Sequence, residues 1–312
     1  DANGNISLHG KGGVIVFIDD KPTYMSSADL SNYLRGLPSS SIATIELMTN
    51  PPAKYDAAGN AGIINIKLKR TTVKGWNGNI TLAQGQGTYA RSNNSANINY
   101  RVNKVNISAN ISQSYTGTYQ DLFIYRTYLK PDGSLNSAFN QNSYIKKQIQ
   151  GYNAKIGLDY YINKKSTLGF VLSGFKNINN NSTTNTAQIY DANGGLQNNV
   201  AAYNPNKRNF KNGSINLNYN YKLNKKGAEV LVNADYIKYR SELNQNLLNT
   251  LYLPNGTFDS KTNLVSNLPA DIAIYSFKAD YTLPLKNNAK AEAGVKTSKV
   301  NTDNIANFFD EN

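Results

Sequence analysis

The 312-residue chain has no cysteine, one histidine (His9) and one tryptophan. Without cysteine there is neither a disulfide framework nor thiol chemistry. A single histidine excludes a multi-histidine metal site, and His9 reads as a polar turn residue. No apolar run reaches the roughly 18 residues of a membrane-spanning helix, which leaves open a barrel, whose signal is spread over short alternating segments. Residues 1–20 hold no basic stretch followed by an apolar one, so no signal peptide is read. The sequence opens and closes in mid-pattern, so a mature or truncated piece of a longer protein is expected. The net charge is +13, yet the basic residues are scattered through turns and alternating segments. They form no stripe or helix, so nucleic acid is not an expected partner.

Short motifs for chemistry are equally scarce. Gly10-Lys11-Gly12-Gly13 lacks the spacing of a phosphate loop and reads as a hairpin turn. Asp19 and Asp20 are adjacent at a strand end, where neighbouring side chains diverge, and read as turn residues. Residues 1–5 and 191–195 open like a calcium loop without its closing glutamate. The Asn-x-Ser/Thr matches follow from the abundance of asparagine and serine. No catalytic, cofactor-binding or metal-ligating residue is assigned, and no enzyme activity is expected.

What the chain does have is a regular metre. Short turns fall at Asn103-Lys104, Asn163-Lys164-Lys165, Asn224-Lys225-Lys226 and Lys286-Asn287-Asn288. Between them lie excursions tipped by Gly133, Gly194 and Gly256, in the segments KPDGSL, DANGGL and LPNGTF. Asp-Gly and Asn-Gly tolerate the positive φ at which a hairpin turns back. The two turn kinds alternate about every 30 residues, too long a leg for a soluble sandwich with turns every 8–12 or so. Short turns on one side and long excursions on the other match an outer-membrane barrel. About nine antiparallel strands are expected, each leg extending beyond the membrane as tall strand and mobile loop.

Alternation says what each face meets. Beside the short turns, one face reads Ala96, Ile98, Tyr100 and Val102; Ala154, Ile156, Leu158, Tyr160 and Ile162; Ile215, Leu217, Tyr219, Tyr221 and Leu223. It continues through Ala228–Tyr236 and Tyr275–Leu283 without a charge. The other face carries Arg101, Lys155, Asp159, Lys222, Glu229, Asp235, Lys278 and Asp280, with Asn97, Asn99, Asn106, Asn110, Asn216 and Asn218. An apolar face on lipid and a polar face on a wet lumen is the expected arrangement. Tyr100, Tyr160, Tyr221 and Tyr281 recur at intervals of 60 or 61, each just before a short turn. They are the candidate aromatic girdle, ring in the apolar zone and hydroxyl in water.

Residues 1–70 differ in kind. GVIVFIDDKP reads as a buried strand ending in a turn. In SSADLSNYLRGLP, Ser26 or Ser27 caps a short helix carrying Leu30, Tyr33 and Leu34, with a Gly-x-Pro stop. IATIELM and GIINIKLK are two further strands. These segments and their order resemble the second half of the plug domain of TonB-dependent outer-membrane receptors. The matching positions are Ile18, Asp19 and Pro22; Ile45 and Glu46; Tyr55; and Gly62, Ile63, Ile64, Asn65 and Ile66, and Asp20 and Gly59 are counted with them as candidate plug-motif residues. In that family Gly usually stands where this chain has Asp20 and Asp56.

The resemblance implies a partial α+β plug over 1–70 and the N-terminal part of a large outer-membrane barrel over 71–312. It implies energised uptake of a ligand (siderophore, glycan or peptide), driven by TonB pulling a segment that precedes this sequence. Location in the outer membrane of a Gram-negative bacterium follows, with no cofactor and with a surface lipoprotein as a further partner. Lys146, Lys147, Lys207 and Arg208 lie at similar heights above their short turns and are candidate lipopolysaccharide contacts. Two other readings stay open: a non-importing barrel for protein interaction or export, and a soluble β-rich adhesin.

Overall fold

The computed structural model describes residues 6, 14–19, 21–23, 30–31, 33–34, 37, 39–49, 62–69, 74–224, 227–285 and 289–311. Expectations that fell on His9, Gly10–Gly13, Asp20, Tyr55, Gly59 and residues 1–5 lie outside these. Two sheets are present. The first combines β1 (Ile15–Ile18), β2 (Lys21–Pro22), β3 (Ile42–Met48) and β4 (Ile63–Leu68) in the order β2-β1-β4-β3. β1 runs parallel to β4, with Ile15 opposite Ile63 and Ile18 opposite Ile66, while the other pairs are antiparallel. Between β2 and β3, Leu30, Ser31, Tyr33 and Leu34 are helical. Val16, Leu30 and Ile66 form a buried cluster backed by Leu34, Ile42 and Leu68, so the helical residues close one side of the sheet. Gly62 enters β4 at φ 106, a conformation that a side chain would strain.

The second sheet is an antiparallel meander. It holds β5 (Gly75–Gln86), β6 (Ala90–Val102), β7 (Val105–Leu129), β8 (Leu135–Tyr161), β9 (Ser166–Asp191), β10 (Leu196–Lys222), β11 (Glu229–Tyr252), β12 (Phe258–Pro284), β13 (Lys290–Asn304) and β14 (Asn307–Asp310). β14 continues the register of β13 along β12, since Asn304 faces Ala270 and Asn307 faces Asn267. The two are one leg with a two-residue gap, which gives the nine legs the metre calls for.

One expectation needs correcting. The legs do not dissolve into loops beyond the apolar band; strand persists to each glycine tip. Gly133, Gly194 and Gly256 stand at φ 81, 81 and 83, and all three tips close with one pattern. Lys130, Asp191 and Leu253 donate to the residue four on, and each glycine donates back three. A type I turn followed by a left-handed glycine needs one extra residue on one strand. Accordingly the ladder slips once beside each tip, at Tyr128/Leu129, Leu196/Asn198 and Leu251/Tyr252. Elsewhere register holds for the whole leg, so alternation assigns every side chain to a face.

The apolar face is open to the surroundings. Ile80 is 75% exposed, Leu217 49% and Val295 64%, with Ile98, Ile156, Leu172 and Phe277 likewise outside. The opposite face is half-buried and bonded to itself. Asn99 donates to Asn106 at 3.0 Å, Asn216 to Asp235 at 2.7 Å and Asn218 to Asn216 at 2.8 Å, and Asn110 donates to Asn97. Asn218 lies over Gly169, where a Cβ would meet its amide at 2.3 Å. A wall greasy outside and amide-lined inside suits lipid on one side only, which sets the soluble adhesin reading aside. Replacing Leu217 by arginine is expected to cost about 2–4 kcal/mol in vesicle-embedded unfolding. Asn218→Arg, on the other face of the same strand, should stay within about 1 kcal/mol.

Candidate functional site

The site begins at Asp19, the turn residue between β1 and β2, held at φ 50. Its carboxylate accepts the Leu68 backbone N–H at 2.9 Å, which ties the turn to the end of β4. The other oxygen accepts Lys155 Nζ at 3.2 Å. Lys155 lies on the polar face of β8, within the span whose alternate residues form the apolar band. The N-terminal sheet is therefore anchored on the inner side of the wall.

Two further contacts repeat the geometry. Tyr239 on β11 donates its hydroxyl to the Thr23 carbonyl at 2.7 Å. Tyr33 meets Phe175 of β9 edge-on, with centroids 5.4 Å apart and planes at 76°. Phe175, Phe210, Tyr239 and Ile274 form a buried apolar cluster, with Ile237 and Ile272 packed against it. By register these come from the inner side of β9–β12: Phe175 faces Asn212, Asn212 faces Tyr239, and Tyr239 faces Ile272. Burial beside this cluster pushes the Tyr33 hydroxyl up to about 12, with the negative charge of Asp19 adding to it. Tyr33 is thus a neutral ring wedged into an apolar dish in an otherwise polar lumen wall.

The resemblance residues sort as follows. Asp19 makes the anchor. Pro22 pairs with Phe17 across β1–β2. Glu46 and Asn65 face one another across β3–β4, and Asn65, fully buried, donates to Glu46 at 2.8 Å. They hold β3 and β4 of the small sheet together. Asp20, Tyr55 and Gly59 lie outside the described residues.

Tyr100, Tyr160, Tyr221 and Tyr281 all stand on the apolar face, Tyr100 stacked on Trp76 at 4.4 Å. Tyr160 sits one step of two residues along from the row of Tyr100, and Tyr221 one further; Tyr281 shares the row of Tyr221 through Val230. Such a drift across the ladder keeps tilted strands at one height.

Lys146, Lys147, Lys207 and Arg208 are divided between the two faces of the wall. The ladder is unbroken around them, so Lys146 and Lys207 face outward and Lys147 and Arg208 inward. An outer groove of about 450 Å³ is lined by Lys146, Gln148, Asn180 and Lys207, and an inner hollow of about 210 Å³ by Lys147, Asn181, Asn204 and Gln245. The 191–195 segment is a turn: backbone N–H groups of Gly195 and Asn193 bond Asp191, holding its carboxyl below the usual range. No cluster of three His, Cys, Asp or Glu gathers among the described residues.

Sequence reasoning did not single out Phe175, Phe210, Ile237, Tyr239, Ile272 or Ile274. Their signal is an interruption: DYIKY and DIAIY place apolar residues on the inner parity, where the rest of the wall has amides.

Residues 221–312 match the model of the outer membrane protein beta-barrel family. No curated protein matches the sequence. Among solved structures the chain is similar to BamA from Haemophilus ducreyi lacking POTRA domains 1-3, at 9% identity over 95% of this chain and 84% of that one. The TM-score is 0.13, too low to carry an argument. The protein is an outer-membrane β-barrel protein of a Gram-negative cell. Phe175→Ala should lose about 3–5 kcal/mol of packing. Hydrogen exchange is expected to report it as lost amide protection in β1 and β4, with β8–β10 still protected beside the short turns.

Proposed function

We propose that this chain is the plug-and-wall portion of a TonB-dependent outer-membrane receptor that takes up a ligand by displacing its plug. The observation that carries the reading is the docked N-terminal sheet. Its segments resemble the plug of that family in wording and order, and it sits on the lumen face through the Asp19–Lys155 pair, the Tyr239–Thr23 hydrogen bond and the Tyr33 ring contact. The wall beside it offers hydrogen bonds without a fixed charge at most positions, so a displaced unit slides over exchangeable partners. Tyr100, Tyr160, Tyr221 and Tyr281 act in this reading as the periplasmic girdle. In this reading the chain itself performs no covalent step, and the energy is external, delivered by TonB.

These 312 residues hold no cysteine, so a single introduced cysteine is a clean probe once any cysteine elsewhere in the full-length protein is replaced. With Tyr33→Cys in the full-length protein, a membrane-impermeant maleimide is applied to cells in a mixed peptide and glycan medium. Labelling is expected to rise in energised cells and to collapse on adding a proton uncoupler or deleting TonB. Labelling indifferent to both would sink the importer reading and favour a non-importing barrel for protein interaction or export.

A further inference from the structure

Strands β9, β10 and β11 carry opposite chemistry on their two sides at one height. Inward point Phe175, Phe210 and Tyr239, buried under the N-terminal unit. Beside them, pointing outward and exposed, are Lys176, Lys211, Lys238 and Arg240. The ladder sets Lys176 opposite Lys211, and Lys211 opposite Arg240. Three cations thus stand abreast on neighbouring strands about 4.8 Å apart, an arrangement that repels itself when left alone. Arg240 reaches Asp271 at 3.9 Å, a long and well exposed contact. No carboxylate pairs with Lys176, Lys211 or Lys238 among the described residues. The row turns acidic at Asp271 and Asp303, so the patch ends at β11.

Its height is informative. The top row of the apolar band is Leu172, Ile215, Tyr236 and Tyr275, where Tyr236 and Tyr275 pack ring on ring at 4.9 Å. Lys176, Lys211 and Arg240 lie four residues further along their strands, about 13 Å by strand rise and about 10 Å in height at barrel tilt. That is the headgroup level of the leaflet on the glycine-tip side, which is the outer leaflet in a barrel with short periplasmic turns. Between the two rows Gly174 faces Gly213, and a Cβ on Gly213 would meet nothing within 4 Å. The wall therefore offers in sequence an apolar strip, a step that is bare on β9 and β10 with Lys238 beside it on β11, and a cation row.

We propose that this stretch of wall is the seat of a phosphorylated glycolipid of the outer leaflet. Its phosphate bridges Lys176, Lys211 and Arg240, its sugar covers the Gly174–Gly213 step, and its acyl chains lie along Leu172, Ile215 and Tyr236. The anion relieves the repulsion within the row, and guanidinium and ammonium donors bind phosphate through charge-assisted hydrogen bonds. This seat lies below the groove of Lys146 and Lys207 and excludes the inward Lys147 and Arg208. It does not depend on the transport reading.

The test uses the full-length protein in detergent, titrated with purified lipid A, with the same lipid enzymatically dephosphorylated, and with inorganic phosphate. The triple variant Lys176→Gln/Lys211→Gln/Arg240→Gln should weaken lipid A binding about tenfold or more, and dephosphorylated lipid should bind the wild type as poorly. Lys147→Gln/Arg208→Gln should bind as the wild type does. Gly213→Phe, which keeps every charge and fills the step, should also weaken binding and covers the case in which the triple variant fails to fold. The proposal is overturned if a folded triple variant, or Gly213→Phe, keeps wild-type affinity. It is equally overturned if phosphate removal changes nothing, or if inorganic phosphate at equal concentration displaces the lipid.

Discussion

Cross-strand register is the constraint on which this molecule depends. Because side chains alternate strictly and the ladder slips only beside the glycine tips, one choice of parity commits each leg of the wall to two solvents at once. A slip by one residue in mid-leg would turn Ile156, Leu158 and Tyr160 into the lumen and Lys155 and Asp159 into lipid. The tips absorb their own extra residue locally, and the short turns are held by side chains: Asn163 accepts the N–H groups of Lys165 and Ser166, and Asn224 that of Ala228. Turn chemistry at both ends thus protects the parity between them.

Within that frame the fold was legible to the extent that it is periodic. Ala96–Val102, Ile215–Leu223 and Tyr275–Leu283 announce their outward face by lacking charge, and the nine legs follow from the spacing of two turn types. The small sheet was legible for a different reason, since Val16, Ile63 and Ile66 sit in near-continuous apolar runs that only a covered strand tolerates. Strand persistence to the tips was not legible, because Asn180, Asn181 and Ser182 have the composition of a loop. They remain strand through pairing with β8 and β10 on both sides, and backbone bonds along a tall hairpin outweigh low β propensity.

The site was harder to see. Asp19 and Lys155 are 136 residues apart and Thr23 and Tyr239 are 216 apart, so neither pairing leaves a local pattern. The apolar dish does leave one, but it looks like noise in each strand. Phe175, Phe210 and Tyr239 become neighbours only once the registers of β9, β10 and β11 are known. The outward cations are subject to the same limitation. Lys176, Lys211 and Arg240 are unremarkable in three separate segments and form a row only through pairing. The grouping of Lys146, Lys147, Lys207 and Arg208 matched height above a turn and not parity, so the ladder divides it into an outward pair and an inward pair.

The balance of contacts also bears on how the small sheet can be held and still leave. Some amides of the lumen face bond their neighbours on the wall, as in Asn99–Asn106, Asn216–Asp235 and Asn218–Asn216, and those bonds survive removal of the N-terminal unit. Among the described residues, what is lost is concentrated in one place: the Asp19–Lys155 pair, one tyrosine hydrogen bond and the dish around Tyr33. Apolar contacts fall off within a few ångströms of separation, while the carboxylate and the ammonium can take up water as they part. An attachment localised in this way yields abruptly once Tyr33 clears Phe175. A greasy interface of the same area, spread over the whole lumen, would resist along its full length.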